Sequence, residues 1–296
     1  MGENGNNPDL IVAPALTSAT RMRASGPILI LAFLFVIGAF LSWYFTWFGR
    51  ELSDEKISEY LIDDERPRRV QHAMLQIQQR LERGDSTVRH FYPQLLTLAE
   101  HSETEFRLTV AWLMGFDNRS QEFHQALLKL VNDPQPIVRR NAALALVRFN
   151  DPSGREELLR TLLAHPVAAA ADGIVMSTLQ AGSTIPRGAL LARLEQQGQT
   201  IEVRSPLPGK IEAIVSPAGT RVTSADTILK LRSDEDSVWE ALRGLSLIGE
   251  PEDLAVVSRY SEGIEPVAER IKEQAALTAK SIQSRGDKEK LNPVNR

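Results

Sequence analysis

The sequence of 296 residues contains no cysteine. This absence excludes disulfide bonds, thiolate nucleophiles, thiolate zinc sites and cysteine-ligated iron–sulfur clusters. A large excess of one charge is also lacking, because 34 Lys and Arg stand against 38 Asp and Glu, for a formal net charge of -4. Nucleic acid is therefore not expected as a partner, since chains that bind it usually carry a basic surface.

Motifs for catalysis and metal binding are missing as well. None of the five histidines lies three or four residues from another, so no helix presents a metal-binding pair. The chain has no G-x-S-x-G elbow, no Walker-type phosphate loop and no dinucleotide fingerprint. We therefore predict that the protein is not an enzyme and has no catalytic, metal-binding or cofactor-binding residues. Trp112 and Trp239 are predicted to fill cores between helices.

One long hydrophobic run lies near the N-terminus. Residues 28–48 read ILILAFLFVIGAFLSWYFTWF and carry no charge. As a helix this run is about 30 Å long, which matches the hydrocarbon core of a bilayer. A cleaved signal peptide is the alternative, but its apolar core is shorter and ends in small residues. The sequence predicts a transmembrane helix over residues 26–49, with the anchor residues Ile28, Trp43, Tyr44, Trp47 and Phe48.

The residues that flank this run set its orientation only weakly. Arg21 and Arg23 precede it, and Arg50 and Lys56 follow it, so the positive-inside rule gives little bias. A slight preference places the bulk of the chain in the periplasm. The expected location is a bacterial inner (cytoplasmic) membrane, crossed once. The polar residues 1–25 are predicted to form a disordered leader.

A helical repeat is predicted in residues 50–165. The segments 105–115 and 137–147 match at a spacing of 32 residues. A fixed spacing in this range, with two helices in each period, is typical of a helical solenoid. The matched positions include Phe106 with Val138, Arg107 with Arg139, and Ala111 with Ala143.

The stretch IVRRNAALALVRFNDP, residues 137–152, resembles the consensus of HEAT repeats. The resemblance covers about two well-formed repeats and one degenerate repeat near residues 70–100. It implies a protein-binding scaffold rather than chemistry. It also implies that Arg107 and Arg139, at the family's recurring arginine position, serve bonding between repeats.

Residues 166–232 change to short β-branched runs punctuated by glycine and proline, which predicts an all-β domain. Two halves, residues 172–194 and 208–231, match each other. The halves resemble the biotinyl/lipoyl-like fold, a small barrel-sandwich hybrid of two quasi-equivalent halves. The matched pairs are Gly173 with Gly209, Gly182 with Gly219, Ile185 with Val222, Leu191 with Ile228, and Leu194 with Leu231.

Carrier members of that fold present a lysine on the hairpin between the halves, three residues after a glutamate, and attach biotin or lipoate to it. The matching glutamate here is Glu195, so Gly198 occupies the lysine position. No lysine lies between Glu195 and Lys210. Because an amide-linked cofactor needs a primary amine, Gly198 is a degenerate carrier position and no cofactor is expected.

Helical patterns return in residues 233–285, and residues 286–296 are predicted to be a flexible tail. Residues 238–249, followed by Pro251, look like a first HEAT helix and a proline turn. The predicted fold class is multidomain, with one transmembrane helix, an α-helical HEAT-like solenoid and an inserted small all-β barrel-sandwich (lipoyl-like) domain. The alternative to insertion is three domains in series.

These features predict a membrane-anchored, non-enzymatic scaffold for protein interaction. Its expected partners are membrane-associated proteins and the lipid bilayer. One alternative is an accessory, adaptor-like subunit of a bacterial export or efflux assembly, which would carry the same β fold beside one anchor. The six-residue loop 195–200 replaces the long α-hairpin of such adaptors. The other alternative is a biotin or lipoyl carrier domain, for which the acceptor lysine is missing.

Overall fold

A computed structural model describes residues 26–47 and 51–291, and the chain divides into two compact units between residues 51 and 52. The described part of the first unit contains one helix, α1 (Gly26–Trp47). Its described side chains are exposed, Leu31 to 70% and Phe35 to 77%. Among the residues that the structure describes, no helix has both the length and the hydropathy needed to cross a membrane. The predicted transmembrane helix is therefore not supported there.

Several predicted positions lie outside the part of the chain that the structure describes. They are the leader of residues 1–25, Phe48, and the side chains of the anchor residues Ile28, Trp43, Tyr44 and Trp47.

The helices of the second unit alternate between two rows. One row contains α3, α5, α7, α9 and α11, each in contact with the next, and each also packs on the helix that precedes it in the chain. This alternation is the arrangement of a helical solenoid. The helices are α2 (Asp54–Leu61), α3 (Pro67–Glu82), α4 (Tyr92–Ala99), α5 (Thr104–Met114), α6 (Gln121–Leu130), α7 (Pro136–Arg148), α8 (Arg155–Thr161), α9 (Glu235–Ile248), α10 (Leu254–Ser261) and α11 (Glu269–Leu291).

Local sequence explains where several of these helices begin. Ser53, Ser120 and Asp234 are the N-caps of α2, α6 and α9, and each side chain accepts a hydrogen bond from the backbone N–H three residues later. A cap of this kind stabilises a helix by about 1 kcal/mol. Prolines stand in the first turns of α3 and α7, where the missing N–H breaks no helical hydrogen bond.

The core of the solenoid is continuous across the point where the chain leaves it. Leu158 of α8 packs in one hydrophobic cluster with Leu242 and Leu245 of α9, and none of these side chains has exposed surface. All the strands that the structure describes lie between α8 and α9 in the sequence. The β domain is thus an excursion from the turn between two neighbouring helices, which is the insertion arrangement and not three domains in series.

Two antiparallel four-stranded sheets make up the β domain, in the orders β1-β8-β6-β3 and β5-β4-β2-β7. Advancing each strand number by four, with β8 followed by β1, converts one order into the other. The domain therefore consists of two equivalent halves. The strands are β1 (His165–Ala168), β2 (Gly173–Thr178), β3 (Thr184–Ile185), β4 (Leu190–Gln196), β5 (Gln199–Arg204), β6 (Gly209–Ile214), β7 (Arg221–Val222) and β8 (Thr227–Ser233).

Residues that the sequence pairs between the halves occupy equivalent places. Gly209 of β6 lies opposite Ile185 of β3, just as Gly173 of β2 lies opposite Val222 of β7. A Cβ on Gly173 would lie 2.6 Å from the carbonyl oxygen of Glu195, and a Cβ on Gly209 would overlap that of Arg232. Only glycine allows the backbones to approach this closely.

The C-terminal tail predicted from residue 286 is helical as far as Leu291, where α11 ends. Ile282 on this helix is fully buried, and a Cβ on Gly286 would lie 3.1 Å from the Pro251 side chain. The helix therefore continues past residue 286, where the polar composition of the sequence predicts a flexible tail, and Gly286 packs against Pro251. Residues 292–296 lie outside the described residues.

Candidate interaction site

The arginines at matched repeat positions make the same backbone contacts. Arg107 and Arg139 each donate hydrogen bonds to the carbonyl groups five and six residues earlier, at 2.7 to 3.2 Å. Each guanidinium thus ties its helix to the turn that precedes it. This is the structural role that the sequence predicts for both residues.

The acidic partners of these arginines differ because of the inserted domain. Arg107 pairs with Asp133 in the next turn between repeats, with 2.7 Å between nitrogen and oxygen. The residue that matches Asp133, 32 positions later, is His165 at the start of β1. Arg139 pairs instead with the buried Glu157 of α8, at 2.9 Å.

A buried arginine forms hydrogen bonds to the segment that connects β8 to α9. Arg140 is 4% exposed and donates to the hydroxyls of Ser237, at 2.8 Å, and Ser233, at 3.1 Å. Burial lowers the pKa of this guanidinium. Burial also lowers the pKa of His165, and the charges of Arg139 and Arg140 lower it further. The junction therefore favours a neutral imidazole.

Ion pairs between distant segments hold the β domain against the solenoid. Arg187, which follows β3, pairs with Glu105 of α5. Arg232 of β8 pairs with Glu265, which precedes α11, at 3.2 Å. Together with the bond from Arg140 to Ser233, these contacts join the domain to α5, to α7 and to the segment before α11.

Gly198 lies in the two-residue turn between β4 and β5. Gln196 pairs with Gln199 across the hairpin, and Gln197 and Gly198 have φ angles of 53° and 82°. Positive φ at both positions is the pattern of a type I′ turn. The N–H of Gly198 donates to the Glu195 carboxylate at 2.6 Å. This tip presents amides and a carboxylate but no amine.

A groove of about 530 Å³ crosses α5, α7 and α9. The helices contact each other in that order. Their outward side chains are spaced by three or four residues, as one helix face requires. The side chains that matter most in the groove are Trp112, Leu144, Arg148, Glu240, Arg243 and Leu247.

The prediction that both tryptophans fill cores between helices is wrong for Trp112, whereas Trp239 packs, partly buried, against the hydrophobic cluster of α8 and α9. Trp112 is 38% exposed and packs edge-on against Phe116, with 4.6 Å between ring centroids. Trp239 is half-buried beneath Arg243. The core positions of α5 are taken instead by Phe106, Val110, Ala111, Leu113 and Met114, which leaves Trp112 on the outer face.

Two arginines in the groove are held by aromatic rings. The guanidinium carbon of Arg148 lies 4.8 Å from the centre of the Phe116 ring, and that of Arg243 lies 4.6 Å from the centre of the Trp239 ring. Within the described residues, neither arginine forms a direct ion pair with a carboxylate, although the charge of Arg243 acts on Glu240. Arg148 donates one hydrogen bond, to the carbonyl of Gly115 at 3.4 Å. The groove therefore contains two oriented cations with further N–H groups available for a partner.

Glu240 is the one acidic side chain that lines this groove in the described structure. Burial raises the pKa of Glu240, and the nearby charges of Asp234 and Asp236 raise it further. Two arginines and one glutamate therefore line the groove, so its formal charge is positive.

No pattern singled out in the sequence predicts the groove. The one signal that could have found it is the repeat spacing, because Trp112 matches Leu144 and Phe116 matches Arg148 at 32 residues. Large apolar and basic residues at matched outer positions indicate a continuous surface. The third wall of the groove is α9, which follows the inserted domain in the sequence and therefore does not keep the 32-residue spacing.

The described residues contain no group of three or more acidic or histidine side chains that could hold a metal ion. His124 illustrates the structural use of such residues. Its ring lies 2.6 Å from the Asp151 carboxylate and stacks on Phe149, with centroids 5.2 Å apart. The groove is consequently the candidate functional site.

Residues 92–175 match a family of HEAT repeats. The matched segment contains α4 to α8 and runs into β2. A comparison with curated proteins finds no match. A comparison with solved structures finds 19 chains that match. One of them is described as "a single-chain, multi-domain long-chain acyl-coa carboxylase". It is 17% identical over 35% of this chain and 10% of its own length, with a TM-score of 0.24. This chain therefore spans a tenth of that protein's length. The HEAT repeats indicate a surface for protein interaction.

Proposed function

We propose that the protein is a membrane-anchored scaffold that binds a partner protein and catalyses no reaction. The observation that carries the proposal is the outer groove of the HEAT-repeat region, where Trp112 is exposed and Arg148 and Arg243 lack acidic partners. Tryptophan and arginine dominate the binding energy of protein interfaces. A solenoid is suited to this role because its neighbouring helices build an extended surface.

The anchor is proposed from the sequence of α1. The sequence of this helix, Gly26–Trp47, contains no charged residue, and side chains such as Leu31 and Phe35 are exposed. Burying one large apolar side chain stabilises a protein by about 1.5–3 kcal/mol. A helix with several such side chains exposed gains most by entering a lipid phase. We place it in a bacterial inner membrane, with the solenoid on the periplasmic side.

The β domain belongs to the proposal as a lipoyl-like module that carries no cofactor. Its two equivalent halves and the hairpin between them support the resemblance. The tip residue Gly198 offers no nucleophile for acylation, and the tip is held by a hydrogen bond to Glu195. In this proposal the module serves as part of the binding scaffold.

Alkaline carbonate washing of membranes from expressing cells tests the anchor. The full chain is expected to stay in the membrane pellet, and Phe35→Arg/Ile37→Arg is expected to leave it. Each charge at the centre of a bilayer costs about 2.5–3.5 kcal/mol on insertion scales. Phe35→Leu/Ile37→Leu is the matched control and stays in the pellet. Release of the unmodified chain by carbonate would refute the anchor.

Affinity capture of the full chain from its host, after mild detergent extraction, tests the scaffold. A protein partner in stoichiometric amount is expected, and the captured chain should have the intact mass of its sequence. Trp112→Ala/Leu144→Ala should reduce the recovered partner at least about tenfold, since each buried anchor contributes about 1–2 kcal/mol to an interface and about 1.4 kcal/mol corresponds to a factor of ten. Recovery of the chain alone as a monomer contradicts the scaffold. An added biotinyl or lipoyl mass contradicts the absence of a carrier function.

A further inference from the structure

We propose that the groove across α5, α7 and α9 binds an amphipathic helix of the partner protein, and that the polar flank of this helix is acidic. The inference rests on the proposed scaffold function and deepens it, because it names the surface and the chemistry of what it binds.

The shape of the groove suits a helix. Three neighbouring helices form its walls. Packed helices lie about 8–10 Å apart, so the groove crosses about 20 Å of surface. A helix of about 13 residues has the same length. Helices that bind in grooves of this kind contact them through apolar residues at positions i, i+3, i+4 and i+7.

Apolar side chains cross the groove from one wall to the other. Trp112 of α5 is 38% exposed, Leu144 of α7 is half-buried, and Leu247 of α9 is 62% exposed. A large apolar residue on each of three adjacent helices makes a contiguous patch, and such patches mark interaction sites more often than scattered single residues do.

The charges of the groove select an acidic partner. Arg148 and Arg243 project into it without carboxylate partners, and ring stacking restricts their side chains. Carboxylates on a bound helix would form charge-assisted hydrogen bonds with guanidinium groups that are already oriented. Glu240 is one carboxylate against two arginines, so the groove keeps a net positive charge.

Two synthetic peptides of about 14 residues distinguish this partner from others. Both have leucine at positions i, i+3, i+4 and i+7 of a helix, but one has glutamate on the flanks and the other has lysine. Fluorescence anisotropy measures their binding to the full chain in phosphatidylcholine nanodiscs, with empty nanodiscs as the blank. The glutamate peptide should bind more tightly than the lysine peptide and than a scrambled glutamate peptide.

Charge reversal locates the binding site. Arg148→Glu/Arg243→Glu should weaken binding of the glutamate peptide at least about tenfold, which corresponds to about 1.4 kcal/mol, and should strengthen binding of the lysine peptide. Arg221→Glu is the matched control, because Arg221 is an exposed arginine on β7, and it should leave both affinities unchanged. Circular dichroism establishes that the variants are folded.

Several outcomes would overturn the proposal. They are equal binding of the two peptides, binding that survives charge reversal, and a wild-type dimer that charge reversal dissociates, which would make a second copy the occupant. If Arg148→Glu/Arg243→Glu captures the native partner as well as the wild-type chain does, the groove assignment fails while the scaffold function stands. If the wild-type chain captures no partner, the scaffold itself fails.

Discussion

Arg107→Ala is expected to lower the free energy of unfolding by about 3–5 kcal/mol, the effect of leaving one member of a buried ion pair without its partner. The side chains of Arg107 and Asp133 are 11% and 5% exposed, and two nitrogen–oxygen contacts of 2.7 and 3.1 Å join them. The substitution also removes the hydrogen bonds to the turn before α5. Urea denaturation of the full chain in mild detergent, followed by tryptophan fluorescence, measures the loss.

Two further variants separate this explanation from a general effect of losing arginine. Arg119→Ala removes an exposed arginine from the turn between α5 and α6 and should change stability by no more than about 0.5 kcal/mol. Asp133→Asn in the Arg107→Ala background should restore part of the stability, because it removes the unpaired charge. A loss below about 1 kcal/mol for Arg107→Ala would contradict the buried pair as a source of stability.

Gly209→Ala is expected to destabilise the β domain by about 3 kcal/mol, at the upper end of the usual range for overpacking. The added methyl group would overlap the carbonyl oxygen of Arg232 on β8, so the two central strands of one sheet must separate. Hydrogen exchange of the β6 and β8 amides measures the effect, because it reports on this sheet independently of the solenoid.

The matched control is Gly198→Ala at the hairpin tip. A Cβ there meets nothing within 4 Å, so only the positive φ of 82° opposes the substitution. A left-handed conformation costs a non-glycine residue about 1–2 kcal/mol, so Gly198→Ala should be the milder change. If both substitutions destabilise the domain equally, close strand approach does not explain the requirement for glycine at Gly209.

Several features of the fold could be predicted because they arise from residues close together in the sequence. The 32-residue spacing reproduces the contacts of Arg107 in Arg139, and the matched glycines Gly173 and Gly209 occupy equivalent strands. The position of Gly198 in the hairpin turn also follows from local spacing. Periodicity is reliable in such cases because each unit repeats the same packing requirement.

The predictions that failed concern the exposure of a side chain and the position of a helix end. Trp112 lies on the outer face although aromatic residues usually pack in cores, and residues 286–291 continue α11 although their composition is polar. Both outcomes depend on which neighbours cover a side chain. The composition of a segment does not say which of its residues will be covered, and therefore it cannot distinguish the two faces of one helix.

By itself, the sequence determined the repeated helices, the duplicated β domain and the glycine in the hairpin turn at Gly198, since each follows from the order and spacing of nearby residues. Only the tertiary structure decided that Arg140 is buried against Ser233 and Ser237 and that α9 completes a groove with α5 and α7. The reason is physical. The exposure of side chains on α5 and α7 depends on helices that follow the inserted domain in the sequence. A local sequence pattern contains no information about which distant segment packs against a helix.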